Sequence, residues 1–464
     1  MSVTKAAPTG APQNTRGRVI FASLIGTSIE FYDFYVYATA AVLVFPALFF
    51  PNADPTTELL SSFAAFGAAF VARPLGSIVF GHFGDRIGRK GTLVASLLTM
   101  GIATFLIGCL PTAHTPGWAF LAPALLVLMR FAQGFGLGGE WSGAALLATE
   151  NAPKGKRAIY GTFPQMGAPI GFIIANGVFL TLNLSMTPED FAAWGWRIPF
   201  LLSSLLVVVG LYVRLKLIEA PAFQKVLDKG EVAKLPVSRV FRTSWKPLVL
   251  GTFIMLATYV LFYLMTAFTL TYGTTPSSAD AAAAAAEKAG KPFDPAGFVP
   301  GLGYERTDFI LMLIFGVVFF GIFTLVAGPL AEKFGRRKML MLVTLGILVF
   351  GALWVPLFSG GLIGTLAVLV IGFTLMGLTF GPMGALLPEM FPTNVRYTGS
   401  AVSYNMSSIL GAAVAPFIAI ALWEAMKGST LLVGLYLSGS ALLTLIALFL
   451  SKETRDVDYE GNIS

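Results

Sequence analysis

The chain has 464 residues, is 56% hydrophobic and carries charge on only 12% of its positions. A soluble domain carries about 25% charge, so this composition excludes an ordinary water-facing surface and points to lipid as the solvent. The net charge of +7 is read as topology rather than nucleic-acid binding, because the basic residues sit in short segments between apolar runs; lone Cys109 makes no intrachain disulfide, His82 and His114 lack ligand spacing, and neither a metal site nor a cofactor is expected.

Residues 1–18 are polar and read as a disordered cytoplasmic tail, followed by an uncleaved first helix. A helix needs about 20 apolar residues to cross a bilayer. Runs of that order recur near 20–48, 59–83, 92–110, 119–148, 158–184, 198–217, 248–272, 309–330, 339–358, 362–387, 397–423 and 431–450. Lipid cannot satisfy open backbone groups, so all twelve are expected as helices. The division is an N-terminal six-helix bundle over 19–217, a charged cytoplasmic linker over 218–246, a C-terminal bundle over 247–450 with an outer loop at 273–304 that has room for a short helix, and a cytoplasmic tail over 451–464. With the N-terminus inside, 24 of the 31 basic residues fall in inner segments and five in outer ones, while Arg73 and Arg130 lie within spans. That bias fixes both termini inside.

The halves repeat. Gly81-His-Phe-Gly84-Asp85-Arg86-Ile-Gly88-Arg89-Lys90 follows the second run, and Gly328-Pro-Leu-Ala-Glu332-Lys333-Phe-Gly335-Arg336-Arg337 follows the eighth, 247 residues later. Glu150, Pro153 and Arg157 follow the fourth run, and Glu389, Pro392 and Arg396 follow the tenth, 239 residues later. Two motifs in one order at similar offsets indicate duplication, a property of secondary transporters whose site lies between the repeats.

The Gly84–Lys90 segment resembles the loop signature of the major facilitator superfamily, and residues 331–338 resemble its second copy. A closer likeness, to the metabolite–proton symporter branch, rests on the stretches Gly26–Phe34, Ala72–Gly76, Arg130–Trp141, Trp194–Phe200 and Leu387–Gly399. Gly251–Tyr259 and Leu378–Pro388 point further to inner-membrane metabolite transport proteins of Gram-negative bacteria. The resemblance covers nearly the whole chain. It implies an all-α fold of two pseudo-symmetric six-helix bundles in the bacterial cytoplasmic (inner) membrane. It also implies a secondary active, proton-coupled symporter of a small organic solute, a carboxylate or similar metabolite. Relatives in this branch carry shikimate, 2-oxoglutarate, citrate, or proline and betaine, so the motifs do not select one. The proton is the coupling ion expected, the solute and the bilayer are the partners, and a monomer is expected. Asp85, Arg86 and Arg89, with Glu332, Lys333 and Arg336, would act as paired cytoplasmic latches, Asp85 near a helix N-terminus where negative charge is favoured.

Ionisable groups within spans are costly and are candidate functional groups. Glu30 and Asp33, spaced i, i+3, are expected near mid-membrane on one helix face. Two close carboxylates in low dielectric do not both ionise readily, so one is expected to hold the coupling proton. Arg130 lies at similar depth and needs an anion, either one of these carboxylates or a substrate carboxylate held bidentately. Tyr32, Gln133, Gln165, Tyr259, Tyr263, Tyr404 and Asn405 are candidate cavity or substrate contacts, alongside Tyr35 and Asn176. Arg73, Glu140, Glu389 and Arg396 are read as structural or gating groups. No catalytic cluster and no GxxxxGK[ST] loop is present, which speaks against an enzyme or an ATP-driven pump. A proton-coupled efflux antiporter of a small polar compound is the alternative.

Overall fold

A computed structural model of the chain describes residues 15–51, 55–216, 236–288 and 295–458. Most of the predicted N-terminal tail, much of the linker and the last six residues therefore lie outside the described residues. The long helices are α1 (Arg16–Leu43), α2 (Pro55–Ile87), α3 (Arg89–Cys109), α4 (Leu121–Glu150), α5 (Arg157–Ser185) and α6 (Phe191–Leu215) in the first half. The second half has α7 (Trp245–Thr274), α8 (Arg306–Phe334), α9 (Arg336–Ala352), α10 (Gly361–Glu389), α11 (Thr393–Ala425) and α12 (Leu431–Leu450). Eleven are long and apolar enough to cross a membrane, and α9, at 17 residues, is the short twelfth. Among the described residues there is no strand. The outer segment carries a helix at Ala279–Lys288, and the described end of the linker forms another at Pro236–Thr243.

Glycine sets how closely these helices cross. A Cβ on Gly134 would lie 2.5 Å from the Ala69 backbone, and one on Gly138 would lie 2.1 Å from the Arg73 carbonyl oxygen. Here α4 lies directly against α2. The second half repeats the device: Cβ atoms on Gly377 and Gly381 would each lie 2.6 Å from a carbonyl oxygen of α8, those of Phe320 and Thr324. Small residues at such spacing let backbones approach within lipid, where hydrophobic exclusion cannot drive helices together.

The cytoplasmic ends of the halves also meet backbone to backbone. A Cβ on Gly384 of α10 would fall 2.2 Å from the Gly161 carbonyl of α5, and one on Gly81 of α2 would fall 2.8 Å from Thr398 Cα of α11. Towards the outside the halves touch through rings instead, Tyr35 with Phe262 and Phe70 with Tyr263. The inner closure is thus helix against helix, and the outer one is side chain against side chain.

Candidate functional site

Between the halves lies a cavity of about 30 Å³, room for roughly two waters and too small for a metabolite. Glu30 (α1), Arg73 (α2), Leu137 (α4) and Ala168 (α5) line it from one half. Tyr259 and Tyr263 (α7), Phe380 (α10) and Tyr404 (α11) line it from the other. A wide turn at Leu264–Phe268, directly after Tyr263, interrupts the regular winding of α7 beside the cavity; such bulges recur at functional sites.

Glu30 and Arg73 are the charged residues of this wall. The guanidinium stands 3.8 Å from the carboxylate, an ion pair too long for a hydrogen bond. Both Glu30 oxygens and the Arg73 Nε lack any hydrogen-bond partner, although both residues are buried. The pair is electrostatically matched yet has unused hydrogen-bonding capacity facing the cavity.

Asp33, one turn on, has its own site. Its Oδ1 accepts from the Ser203 hydroxyl of α6 (2.6 Å) and its Oδ2 from the Thr104 hydroxyl of α3 (2.9 Å). The two carboxylates lie only about 60° apart around α1, yet they have different surroundings: Glu30 lines the cavity, while Asp33 is taken up by hydroxyls of α3 and α6 within the first half. Arg130 pairs with neither in an ion bridge. Its Nη1 donates to Gln133 Oε1, and its guanidinium stacks over Tyr37 (4.1 Å), Phe66 (4.8 Å) and Phe34 (5.4 Å). Cation–π attraction offsets part of the desolvation that an anion was expected to offset.

The other polar candidates divide. Tyr259, Tyr263 and Tyr404 reach the cavity. Tyr32 donates to the Pro199 carbonyl (2.9 Å), away from it. Gln165 accepts from Trp141 Nε1 (2.6 Å) and donates to the Phe380 carbonyl (2.7 Å) of the opposite half. Asn405 donates across the interface to the Gly138 carbonyl (3.0 Å). Tyr35 stacks among rings, and Asn176 donates to its own helix at Phe172. Beneath the cavity Trp141 lies flat on Tyr404, 3.9 Å between centroids, so the two halves meet there face to face. Trp141 was visible in the sequence only as part of a motif, since an indole in an apolar span carries no charge to mark it.

Glu140 is held by Arg214, which donates from both terminal nitrogens, and by the Ser96 hydroxyl. Arg214 lies near the end of the predicted sixth run, and the topology count grouped it with the inner basic residues; it is buried in the last turn of α6. A Glu140–Arg214 pair was invisible because a basic residue at a predicted helix end reads as an interfacial anchor.

The cytoplasmic motifs form two matching clusters. Asp85 accepts from the backbone N–H groups of Tyr397 (3.1 Å) and Thr398 (2.8 Å), at the start of α11 in the opposite half. Glu332 accepts from the Ala158 N–H (2.6 Å), at the start of α5, again across the interface. Neither helix start has a side-chain cap of its own. Arg89 bridges Asp85 (3.4 Å) and Glu150 (3.1 Å), and Arg396 approaches Glu150 at 3.7 Å. Arg336 bridges Glu332 (2.8 Å) and Glu389 (3.1 Å). The C-terminal tail joins this second cluster: Glu453 accepts from the N–H groups of Arg336 and Arg337, and Thr454 donates to Glu389. Arg86 and Lys333 are exposed beside these clusters.

Two duplicated bundles around a small central cavity, closed on one face by exchanged helix caps, define a secondary carrier. The family model described as "Sugar (and other) transporter" matches residues 19–246 and 297–461. The inner membrane metabolite transport protein YhjE of Escherichia coli is 55% identical over 96% of both chains. The shikimate transporter of E. coli is 34% identical over 94% of this chain and 95% of its own, and the E. coli proline/betaine transporter is 31% identical over 96% and 85%. Among solved structures, the xylose transporter XylE from E. coli superposes with a TM-score of 0.63 at 16% identity, covering 95% of this chain and 98% of its own, which shows the shared fold. The chain belongs to the sugar (and other) transporter family of the major facilitator superfamily, whose members are membrane transporters rather than enzymes.

Proposed function

We propose that this protein resides in the bacterial inner membrane and takes up a small organic carboxylate together with protons, by alternating access. The observation that carries the reading is the Glu30–Arg73 pair, buried in the wall of the central cavity with its hydrogen-bonding capacity unused. While Glu30 is ionised, it offsets the Arg73 charge. When Glu30 takes a proton, Arg73 becomes an uncompensated cation in low dielectric, and a substrate carboxylate is its natural partner. Proton and solute then favour each other's binding, which is the thermodynamic requirement of symport. This moves the substrate-anchoring role from Arg130, which the sequence suggested, to Arg73. Tyr259, Tyr263 and Tyr404 supply hydroxyls and ring faces for the rest of the solute. The site is enclosed by one chain, so a monomer suffices.

The cavity must enlarge to admit a solute. The outer ring contacts can part by side-chain rotation, whereas the inner closure needs the helices to separate. The resting form is therefore proposed as inward-closed.

The test is uptake into proteoliposomes under an inward proton gradient, over a panel of small organic acids and zwitterions that includes shikimate, proline and betaine. Accumulation of a carboxylate that a protonophore abolishes supports the reading. Transport driven only by the reversed gradient would replace it with the antiporter. Accumulation that ignores the proton gradient would remove proton coupling.

A further inference from the structure

Asp33 sits apart from the cavity, yet its surroundings are more elaborate than burial of a permanent charge requires. Thr104 Oγ1 lies 2.9 Å from Asp33 Oδ2, 3.0 Å from the Met100 carbonyl oxygen and 2.9 Å from Gln133 Nε2. It therefore has three polar partners and a single hydrogen. The orientation of the Gln133 amide is fixed by chemistry: Arg130 can only donate, so the amide oxygen must face it and the NH2 must face Thr104. Gln133 thus occupies one lone pair of the Thr104 oxygen, and the Thr104 hydrogen is left with two competing acceptors, the Asp33 carboxylate and the Met100 carbonyl.

Resting on the proton-symport reading above, we propose that Thr104 is a positioning residue for coupling, a hydroxyl rotor that keeps Asp33 hydrogen-bonded both with and without a proton, more strongly without it. With Asp33 ionised, Thr104 donates to Oδ2 and Ser203 donates to Oδ1. When a proton joins Oδ2, the new carboxyl O–H donates to the free lone pair of Thr104, whose own hydrogen swings to the Met100 carbonyl. Gln133 continues to donate to the same oxygen, and Ser203 continues to donate to Oδ1, now the carbonyl oxygen. The change in composition is one added proton. Asp33, Thr104, Ser203 and the Gln133 amide each keep a hydrogen-bond partner in either state, as buried polar groups require.

The groups around Asp33 leave this rotor as the element that responds. α3 and α6 present hydroxyls, Thr104 and Ser203. α4 presents Arg130, held behind Gln133. α5 packs Gly167 and Gly171 against α1. On α1 itself, Glu30 turns to Arg73 of α2, and the Tyr32 hydroxyl is committed to Pro199.

The experiment is infrared difference titration of the purified protein with protons as the only ligand, following the carboxylic C=O band that disappears in Asp33→Asn. Thr104→Val keeps the shape but removes the rotor. The ionised form loses a charge-assisted hydrogen bond while the protonated form loses a weaker one. The pH at half-protonation is therefore expected to rise by about one pH unit, and Thr104→Ser is expected to restore it. Thr104→Ala provides the same test without a branched side chain. An unchanged midpoint in Val and Ala variants overturns the proposal, as does a wild-type protein in which no Asp33 band titrates while it is folded. Both outcomes are independent of the Glu30–Arg73 reading, which fails separately if the uptake panel shows no proton-driven accumulation.

Discussion

Glu30 and Arg73 show what a single buried ion pair contributes and what it leaves open. Truncating one partner strands a charge in low dielectric, at a cost of about 3–5 kcal/mol. Glu30→Ala is expected to lower the thermal unfolding midpoint clearly, and the double variant Glu30→Ala, Arg73→Met to recover most of the loss; additive losses would mean the two charges are not coupled. Glu30→Gln keeps size and removes the titration. It is expected to cut proton-driven uptake at least tenfold while preserving solute exchange at equal concentrations, a step that needs no proton release. Charges inside apolar runs made Glu30, Asp33, Arg73 and Arg130 legible from sequence. Their pairing was not legible. Two acids and two bases at similar depth allow several combinations, and the choice depends on helix rotation, on the aromatic cage around Arg130 and on hydroxyls such as Thr104 and Ser203 that carry no hydropathy signal.

At the scale of the helix, the crossings of α2 with α4 and of α8 with α10 are set by glycines. Gly138→Ala would drive a methyl group against the Arg73 carbonyl, displacing the backbone that carries the cavity's cation. Loss of both stability and transport is expected, read by thermal unfolding and uptake on the same preparation. Gly91 of α3 is the control. Nothing lies within 4 Å of a Cβ placed there, so Gly91→Ala is expected to be neutral or to stabilise by about 0.5–1 kcal/mol. A loss at Gly91 equal to that at Gly138 would refute the packing argument. The element count was legible because hydrophobic length is a coarse and robust signal. Helix ends were less so: α2 extends past its predicted apolar run at the cytoplasmic end to Ile87, and α6 ends at Leu215, short of its predicted end at 217. In α2 the charge of Asp85 marks the end of the apolar run without ending the helix, because the start of α11 receives it.

Across the whole molecule, each half caps a helix of the other. Asp85 serves α11 and Glu332 serves α5, and the arginines of the same motifs hold those carboxylates in place. The repeat in the sequence signalled two equivalent clusters, but which helix each one caps depends on the packing of distant segments. Because both caps cross the interface, both exist only while the cytoplasmic ends are closed. Each contributes about 1–2 kcal/mol, so losing both would shift the closed-to-open balance about 30-fold to 700-fold, at about 1.4 kcal/mol per factor of ten. Asp85→Asn and Glu332→Gln keep the shape and weaken each cap. Spin labels at the exposed positions Lys154 and Lys338, one on each half, would report the separation in a Cys109→Ser background. A longer-distance population is expected in either variant and a larger one in the double variant, with central-site binding retained. If the two substitutions lengthen the distance no more together than singly, the caps act as one latch rather than two. If neither lengthens it, the ion pairs and glycine contacts hold the inner face closed without them.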